Sequence, residues 1–276
     1  MGPGDDGNIR RAASGFFSGT LVHTKEGLMP IEKIKVGDWV LSKPESGEGE
    51  VSYKRVVNTF EFDDKEVWFV SYRWDVKLKP KEEWGDGFAI VTGNHPFWVV
   101  YESSFEEFDE DHEPVLVNRW MRADQLTGDE TVLLADGSLA CLIRVQKIYK
   151  TPYEGIGWLE FDEEGYGPVI DLRGDKAFAP LLGNRTAAYF SKVENDFYGY
   201  RVGNNRVKKP IYNPLLEYGV SYDEMGGVEN RDFCFGNMDN RFYRAKVYNI
   251  EVGDNHTYFV DAPGVWSHNT GFISKG

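Results

Sequence analysis

Two segments of the chain repeat one small pattern. Ile34 to Leu41 runs from an apolar residue through a short spacer to Gly37-Asp38, and then into a strand that ends in Val40-Leu41. Leu126 to Leu134 does the same through Gly128-Asp129 into Thr131-Val132-Leu133-Leu134. A Gly-Asp pair between apolar runs marks a bend, because glycine accepts backbone angles that side chains resist and a short carboxylate bonds nearby amides. Two copies of such a unit in one chain predict a pseudo-twofold β fold built by duplication.

Strand patterns fill most of the remaining sequence. Thr20 to Thr24 alternates, Lys25-Glu26-Gly27 turns, and Met29 to Ile34 brings the chain back. Val51 to Phe62 and Glu66 to Val76 read as two longer strands separated by Asp63-Asp64, and Phe88 to Val91 is a short apolar strand that delivers Thr92-Gly93-Asn94-His95. Phe97 to Tyr101 follows. Lys246 to Val252 and Thr257 to Val260 form a hairpin about Gly253-Asp254-Asn255, after which Ala262-Pro263-Gly264 turns the chain towards Val265-Trp266. Alternation bounded by Gly, Asn, Asp and Pro is the signature of all-β structure. Lys77 to Asp86 reads as a loop, and Ser103 to Glu113, which contains His112, as a solvated acidic loop without the regular spacing of a calcium site. Residues 149–244 differ in texture, with recurring glycine and tyrosine. Their one helical candidate, Asp175 to Val193, is interrupted by Pro180 and Gly183, so a mostly β insertion is expected.

Composition excludes several functions. A chain of 276 residues can bury a sizeable core, as one large β domain or two smaller ones. It has 31 basic against 45 acidic side chains, a net charge of −14, which argues against a nucleic-acid partner, since phosphate backbones are coated by basic faces. Cys141 and Cys234 make no disulfide framework and read as small buried hydrophobes. Without a His-x-x-x-His or Cys-x-x-Cys set, no metal and no cofactor is expected. No apolar run approaches the roughly 18 residues of a membrane span, and no signal-peptide pattern opens the chain, so no membrane partner is expected. Residues 1–14 read as an upstream flank or leader outside the fold, and 270–276 as the start of a downstream segment.

The end of the strand pattern carries the candidate chemistry, Gly264-Val265-Trp266-Ser267-His268-Asn269-Thr270. An asparagine can close on its own carbonyl through its side-chain amide, forming a succinimide and cutting the bond after itself, with the entropy of encounter already met. The amide is a poor nucleophile and the leaving amine needs a proton, help that a neighbour such as His268 can give. Thr270 then becomes a new N-terminus, or a hydroxyl nucleophile in its own right. Alone, the tripeptide reads first as a polar tail after a strand.

Other blocks decide between these readings. Gly19 to Gly27, Pro30-Ile31, Ile34 and Gly37-Asp38 with Val40-Leu41-Ser42 resemble the opening block of the Hint superfamily, which includes inteins and hedgehog autoprocessing domains. Thr92-x-x-His95-Pro96-Phe97 resembles its second block, Val247 to Val252 with His256 to Val260 the penultimate one, and Val265 to Asn269 the terminal one. The pattern is most similar to the pretoxin Hint domain of bacterial polymorphic toxins. The resemblance spans roughly Gly15 to Thr270 apart from the insertion, and implies an autoprocessing domain over 15–269 interrupted by 149–244. It also implies a horseshoe-like all-β body with pseudo-twofold symmetry, in which both chain ends and Thr92-His95 meet in a central cleft.

The resemblance further implies roles. Thr92 and His95 hold and polarise the upstream bond, Ser14–Gly15, while His256 and His268 promote cyclisation of Asn269 and cleavage of Asn269–Thr270. The sequence departs from the family at its first position, where a cysteine normally opens the domain and Gly15 stands instead. Ser18 lies three residues too late to replace it, and Ser14 is on the wrong side of the bond. Either this copy has lost upstream cleavage or its nucleophile has been replaced; the intact remainder of the motifs favours replacement, hence an inactivated precursor. The expected activity is single-turnover self-cleavage, impaired in this form, that releases a C-terminal toxin from a bacterial secreted or delivered protein. Its partners are the covalently linked upstream and downstream segments, with splicing forbidden by Gly15. The alternative is a catalytically silent Hint scaffold that docks a protein partner through 149–244. His23 matches no motif position and reads as a strand residue facing solvent.

Overall fold

A short alternating strand buries one face and leaves its backbone groups open until neighbours pair with them, so these runs must assemble into sheets. In a computed structural model of the chain, the residues described are 13–74, 85–102, 114–159, 166–167, 169–173, 176–181, 186–191, 198–201, 228–229 and 241–269. Residues 77–84 of the loop expected over Lys77–Asp86, the loop expected at 103–113, Cys234 and Thr270 lie outside them.

Among the described residues, the body of the fold uses ten strands before residue 149: β1 (Phe16–Phe17), β2 (Leu21–Thr24), β3 (Gly27–Pro30), β4 (Trp39–Ser42), β5 (Ser52–Trp74), β6 (Gly85–Thr92), β7 (Pro96–Glu102), β8 (Val115–Arg122), β9 (Thr131–Leu133) and β10 (Leu139–Lys147). Next come β11 (Tyr149–Lys150), β12 (Ile156–Trp158), β13 (Tyr166–Gly167), β14 (Val169–Asp171), β15 (Lys176–Leu181), β16 (Thr186–Ser191), β17 (Tyr198–Arg201) and β18 (Val228–Glu229). The chain returns through β19 (Arg244–Val252), β20 (Thr257–Val260) and β21 (Val265–His268). The protein is all-β: among the described residues helical structure is confined to 3-10 turns, and no helix is long and apolar enough to cross a membrane.

The sequence repeat becomes a spatial one. β2 and β3 form a hairpin, a 3-10 turn follows at Ile31–Lys33, and β4 returns to pair with β2. β7 and β8 form a hairpin, a 3-10 turn follows at Ala123–Gln125, and β9 returns to pair with β7. A buried apolar residue closes each turn, Ile34 in one and Leu126 in the other. Gly37 and Gly128 then take φ of 98° and 104°, a region that a Cβ would strain. Strand order runs β10-β9-β7-β21-β20-β2-β4-β5, so the two units flank the β20–β21 hairpin symmetrically. The duplication axis therefore passes through the hairpin that ends at His268.

One core joins the two units, with Val22, Val40, Phe97, Val132, Tyr258, Val260 and Val265 in a single buried cluster with Phe16. Each such side chain contributes about 1.5–3 kcal/mol by leaving water. Period-two alternation splits β5 between layers: Val70 and Tyr72 face this core, while Val67 and Phe69 face a second cluster with Phe88, Ile90, Ile148, Leu159 and Ile170. That second cluster attaches the start of 149–244 to the body. The segment's ends also meet, since Lys150 N–H donates to Arg241 O at 2.8 Å and Tyr243 N–H to Ile148 O at 2.8 Å. Its described strands form the sheet β11-β12-β14-β15-β16-β17 and the pair β13–β18.

Four expectations change. Asp63-Asp64 does not divide two strands: β5 is continuous, and its register with β19 slips between Ala245 and Val247, with Asp64 at φ 55°. The pair is a bulge, because the pairing partner on both sides holds the strand together across a local turn signal. Gly85 and Asp86, expected in the loop Lys77–Asp86, begin β6 because they pair with Trp74 and Arg73 of β5, while the described parts of 175–193 form β15 and β16 in keeping with the β reading. His23 does not face solvent; it is half-buried and its Nε2 lies 2.7 Å from Asp261 O. Cys141 is partly exposed on β10.

Candidate functional site

The end of β6 delivers Thr92 to the start of the described chain. Gly15 N–H donates to Thr92 Oγ1 at 3.1 Å, and Thr92 N–H donates to Gly15 O at 3.0 Å. β1 holds Phe16 opposite Val91 on one side and Tyr248 on the other, and Asn94 Nδ2 donates to Ala13 O at 3.3 Å. The Ser14–Gly15 bond is thus clamped from β6, β19 and the 93–95 turn, and both of its residues are buried.

His95 closes that turn, its main-chain N–H donating to Thr92 O at 3.0 Å. Its ring is fully buried, with Phe16 edge-on at 4.3 Å between ring centres and Nε2 2.6 Å from Ser267 Oγ. Burial, reinforced by charge on His268, pushes His95 down to about 3, so the ring is neutral across the physiological range. Its Nδ1 has no partner among the described residues.

Asn249, on β19, links the two junctions. Its Oδ1 accepts from Tyr258 OH at 2.8 Å and from Ile250 N–H at 2.8 Å, which fixes the amide's orientation. Its Nδ2 donates to Ser14 O at 2.9 Å and to Asn269 O at 2.8 Å, with Ser14 Oγ at 3.3 Å. One NH₂ group holds the carbonyl of each expected scissile bond, so the two junctions lie within about two hydrogen-bond lengths of each other. Burial raises the Tyr258 hydroxyl well above its ordinary value, so it stays a donor to Asn249.

Asn269 follows β21 and is buried. Its main-chain N–H donates to His256 O at 2.9 Å, while its Oδ1 and Nδ2 have no partner among the described residues. An unbonded buried amide costs about 1–3 kcal/mol, and it leaves both atoms uncommitted. His256 reaches Asn269 through its carbonyl, from a left-handed φ of 57°, while its side chain is exposed. His268 is buried, with Trp120 edge-on at 5.0 Å and Nε2 2.9 Å from Glu45 Oε2.

The fold therefore brings Ser14, Gly15, Thr92, His95, His268 and Asn269 together, with His256 contributing main chain. Asn249, Ser267 and Glu45 were not singled out from sequence. Asn249 sits between Val247 and Ile250, both buried, and a polar side chain buried there must find partners. No group of three or more His, Cys, Asp and Glu side chains that could hold a metal forms among the described residues.

Position 15 has no room for a side chain. A Cβ built there would lie 2.4 Å from Tyr248 O and 2.9 Å from its carbonyl carbon, so backbone would have to move. Gly15→Cys is therefore expected to cost about 1–3 kcal/mol, as overpacking does, read as a lower urea midpoint at unchanged slope. An unchanged midpoint would contradict the packing described.

The turn between β20 and β21 carries a buried carboxyl. Asp261 accepts from Tyr72 OH at 2.8 Å, takes φ 60°, and burial pushes it up to about 7. Its folded value lies above its unfolded one, so the folded chain holds the extra proton between about pH 4 and pH 7. Stability from this group is present at low pH and is lost as pH rises through that window, by up to about 4 kcal/mol. Asp261→Asn should flatten the decline; denaturation of parent and variant at pH 5 and pH 8 measures it, and parallel curves would refute it.

No family model matches the chain, and no curated protein matches it. Among solved structures the chain is similar to a bacterial intein-like domain from Clostridium thermocellum, at 16% identity over 94% of this chain and 100% of that chain, with a TM-score of 0.45. It is similar to the gp41-1 intein at 13% identity, 94% and 100% coverage and a TM-score of 0.40. A DnaB intein from Synechocystis is similar at 9% identity, 93% and 99% coverage and a TM-score of 0.42.

Proposed function

We propose that residues 15–269 are a Hint-type autoprocessing domain, interrupted by 149–244, that cuts its own chain after Asn269. The observation that carries this reading is the pairing of a buried, unbonded Asn269 side chain with an Asn269 carbonyl held by Asn249. Nδ2 of Asn269 attacks its own carbonyl carbon, and a five-membered ring forms as the carbonyl oxygen takes up charge. Asn249 donates to that oxygen, and a donor so placed is worth about 2.7–4 kcal/mol of barrier. Collapse breaks the bond to residue 270, the departing amine gains a proton, and Nδ2 loses one. His268, the preceding residue, is the acid and base at hand.

Nothing equivalent acts at the other junction. Asn249 holds the Ser14 carbonyl and Thr92 bonds Gly15, but glycine offers no nucleophile to attack that carbonyl. The proposed reaction is therefore one-ended, single-turnover cleavage, with the segment after Asn269 as its product; the resemblance of the motifs to pretoxin Hint domains supports a toxin as that segment. The test is to incubate the chain carrying a longer C-terminal extension and follow release of a fragment beginning at Thr270. A chain that stays intact under folding conditions would overturn the proposal.

A further inference from the structure

The loop between β4 and β5 reaches across the fold to His268. Lys43 anchors its start, the main-chain N–H donating to Thr257 Oγ1 at 3.2 Å, and Gly47 N–H donates to Pro44 O at 2.9 Å. Gly47 lies against Trp98 so closely that a Cβ there would come within 2.6 Å of the ring, at φ 83°. Trp120 Nε1 donates to Glu45 O at 2.9 Å while its ring packs on His268. The loop is thus pinned at both sides of Glu45, whose carboxylate sits 2.9 Å from His268 Nε2.

The two partners differ in exposure: the His268 side chain is 3% exposed and that of Glu45 is 53%. Exposed ion pairs contribute little, but a carboxylate that meets a buried ring on one side and water on the other can do more than add stability. His95 is held neutral and adds no opposing charge, the ammonium of Lys43 is bonded to Gly49 O, and Arg122 on β8 is paired with Asp124.

We propose that Glu45 is a positioning residue for His268 in cleavage after Asn269. By accepting Nε2–H it fixes the ring's tautomer and leaves Nδ1 to take up and give back the proton of the cleavage step. Once Nδ1 takes a proton, Glu45 stabilises the charged ring, and its exposed oxygen connects the buried site to solvent for proton return. The inference rests on the acid–base role assigned above to His268.

The test uses the full chain with a C-terminal extension, as parent, Glu45→Gln and Glu45→Asp. Cleavage at pH 7 is expected to fall about tenfold in Glu45→Gln, part of the roughly 10²–10⁴-fold a positioned acid or base supplies, and to recover partly in Glu45→Asp. In an uncleavable Asn269→Ala background, ¹⁵N-edited spectra should show the His268 ring titrating at lower pH once Glu45→Gln is added. If the parent cleaves and Glu45→Gln matches its rate and ring titration, the inference is wrong. A slower Glu45→Gln with unchanged titration also overturns it, because lost loop packing alone would do that. If the parent does not cleave, the proposed function falls, and the His268 titration still decides the pairing: a shift with Glu45→Gln supports it and no shift refutes it.

Discussion

Replacing Asn249 by leucine is expected to slow cleavage after Asn269 by about 10²–10³-fold, the loss found when one oxyanion donor is removed. Leucine keeps the branch at Cγ but is larger and offers no donor, so both junction carbonyls lose their shared partner. Tyr258 OH and Ile250 N–H lose their acceptor as well, which costs about 1–3 kcal/mol of stability for buried groups left unpaired. The two effects separate experimentally: rates are compared at temperatures where both proteins are folded by circular dichroism. A folded Asn249→Leu that cleaves within threefold of the parent would remove Asn249 from the chemistry.

Asn269→Ala carries the larger effect. Alanine cannot form the ring, so release of the downstream segment should become undetectable. The substitution removes a side chain with no described hydrogen bond, so the fold loses little and even sheds an unbonded amide. Stability and activity are thus predicted to move apart: an unfolding midpoint at or above the parent's, and no cleavage over days. Cleavage of Asn269→Ala at the parent's rate would assign the cut to some other mechanism.

The parts of this structure that sequence made legible are those governed by local chemistry. The Gly37-Asp38 and Gly128-Asp129 bends each follow a 3-10 turn and lead into a strand, and their duplication is realised as two units about the β20–β21 hairpin. Where expectation and structure part, pairing outweighs local signal. Asp63-Asp64 looked like a turn, yet β19 runs along both sides of it and turns it into a bulge. Gly15 read as a missing nucleophile; the proximity of Tyr248 O, which leaves no space for a side chain, depends on how β1 seats against β19. Asn249 was legible as a strand residue but not as a bridge, since its partners Ser14 and Asn269 come from the two ends of the domain. Glu45 gave no signal at all. It lies in a polar loop, and only the β2–β20 and β4–β5 pairings bring that loop towards β21.

Charge and burial divide the site's two titratable extremes. His95 is neutral at any pH near 7, and Asp261 gains its charge only as pH passes about 7. Asp261 lies in the turn that precedes β21, so its ionisation bears on the strand that presents His268, without entering the bond-breaking step.

The most direct measurement is the mass of the fragment ending at Asn269, taken as it is released from the parent chain with a C-terminal extension. Cyclisation predicts a fragment of residues 1–269 lighter by one water than the hydrolysed acid, accompanied by a partner beginning at Thr270. A fragment that carries a free carboxylate from the first time point, or a cut at any other bond, would contradict cleavage by Asn269.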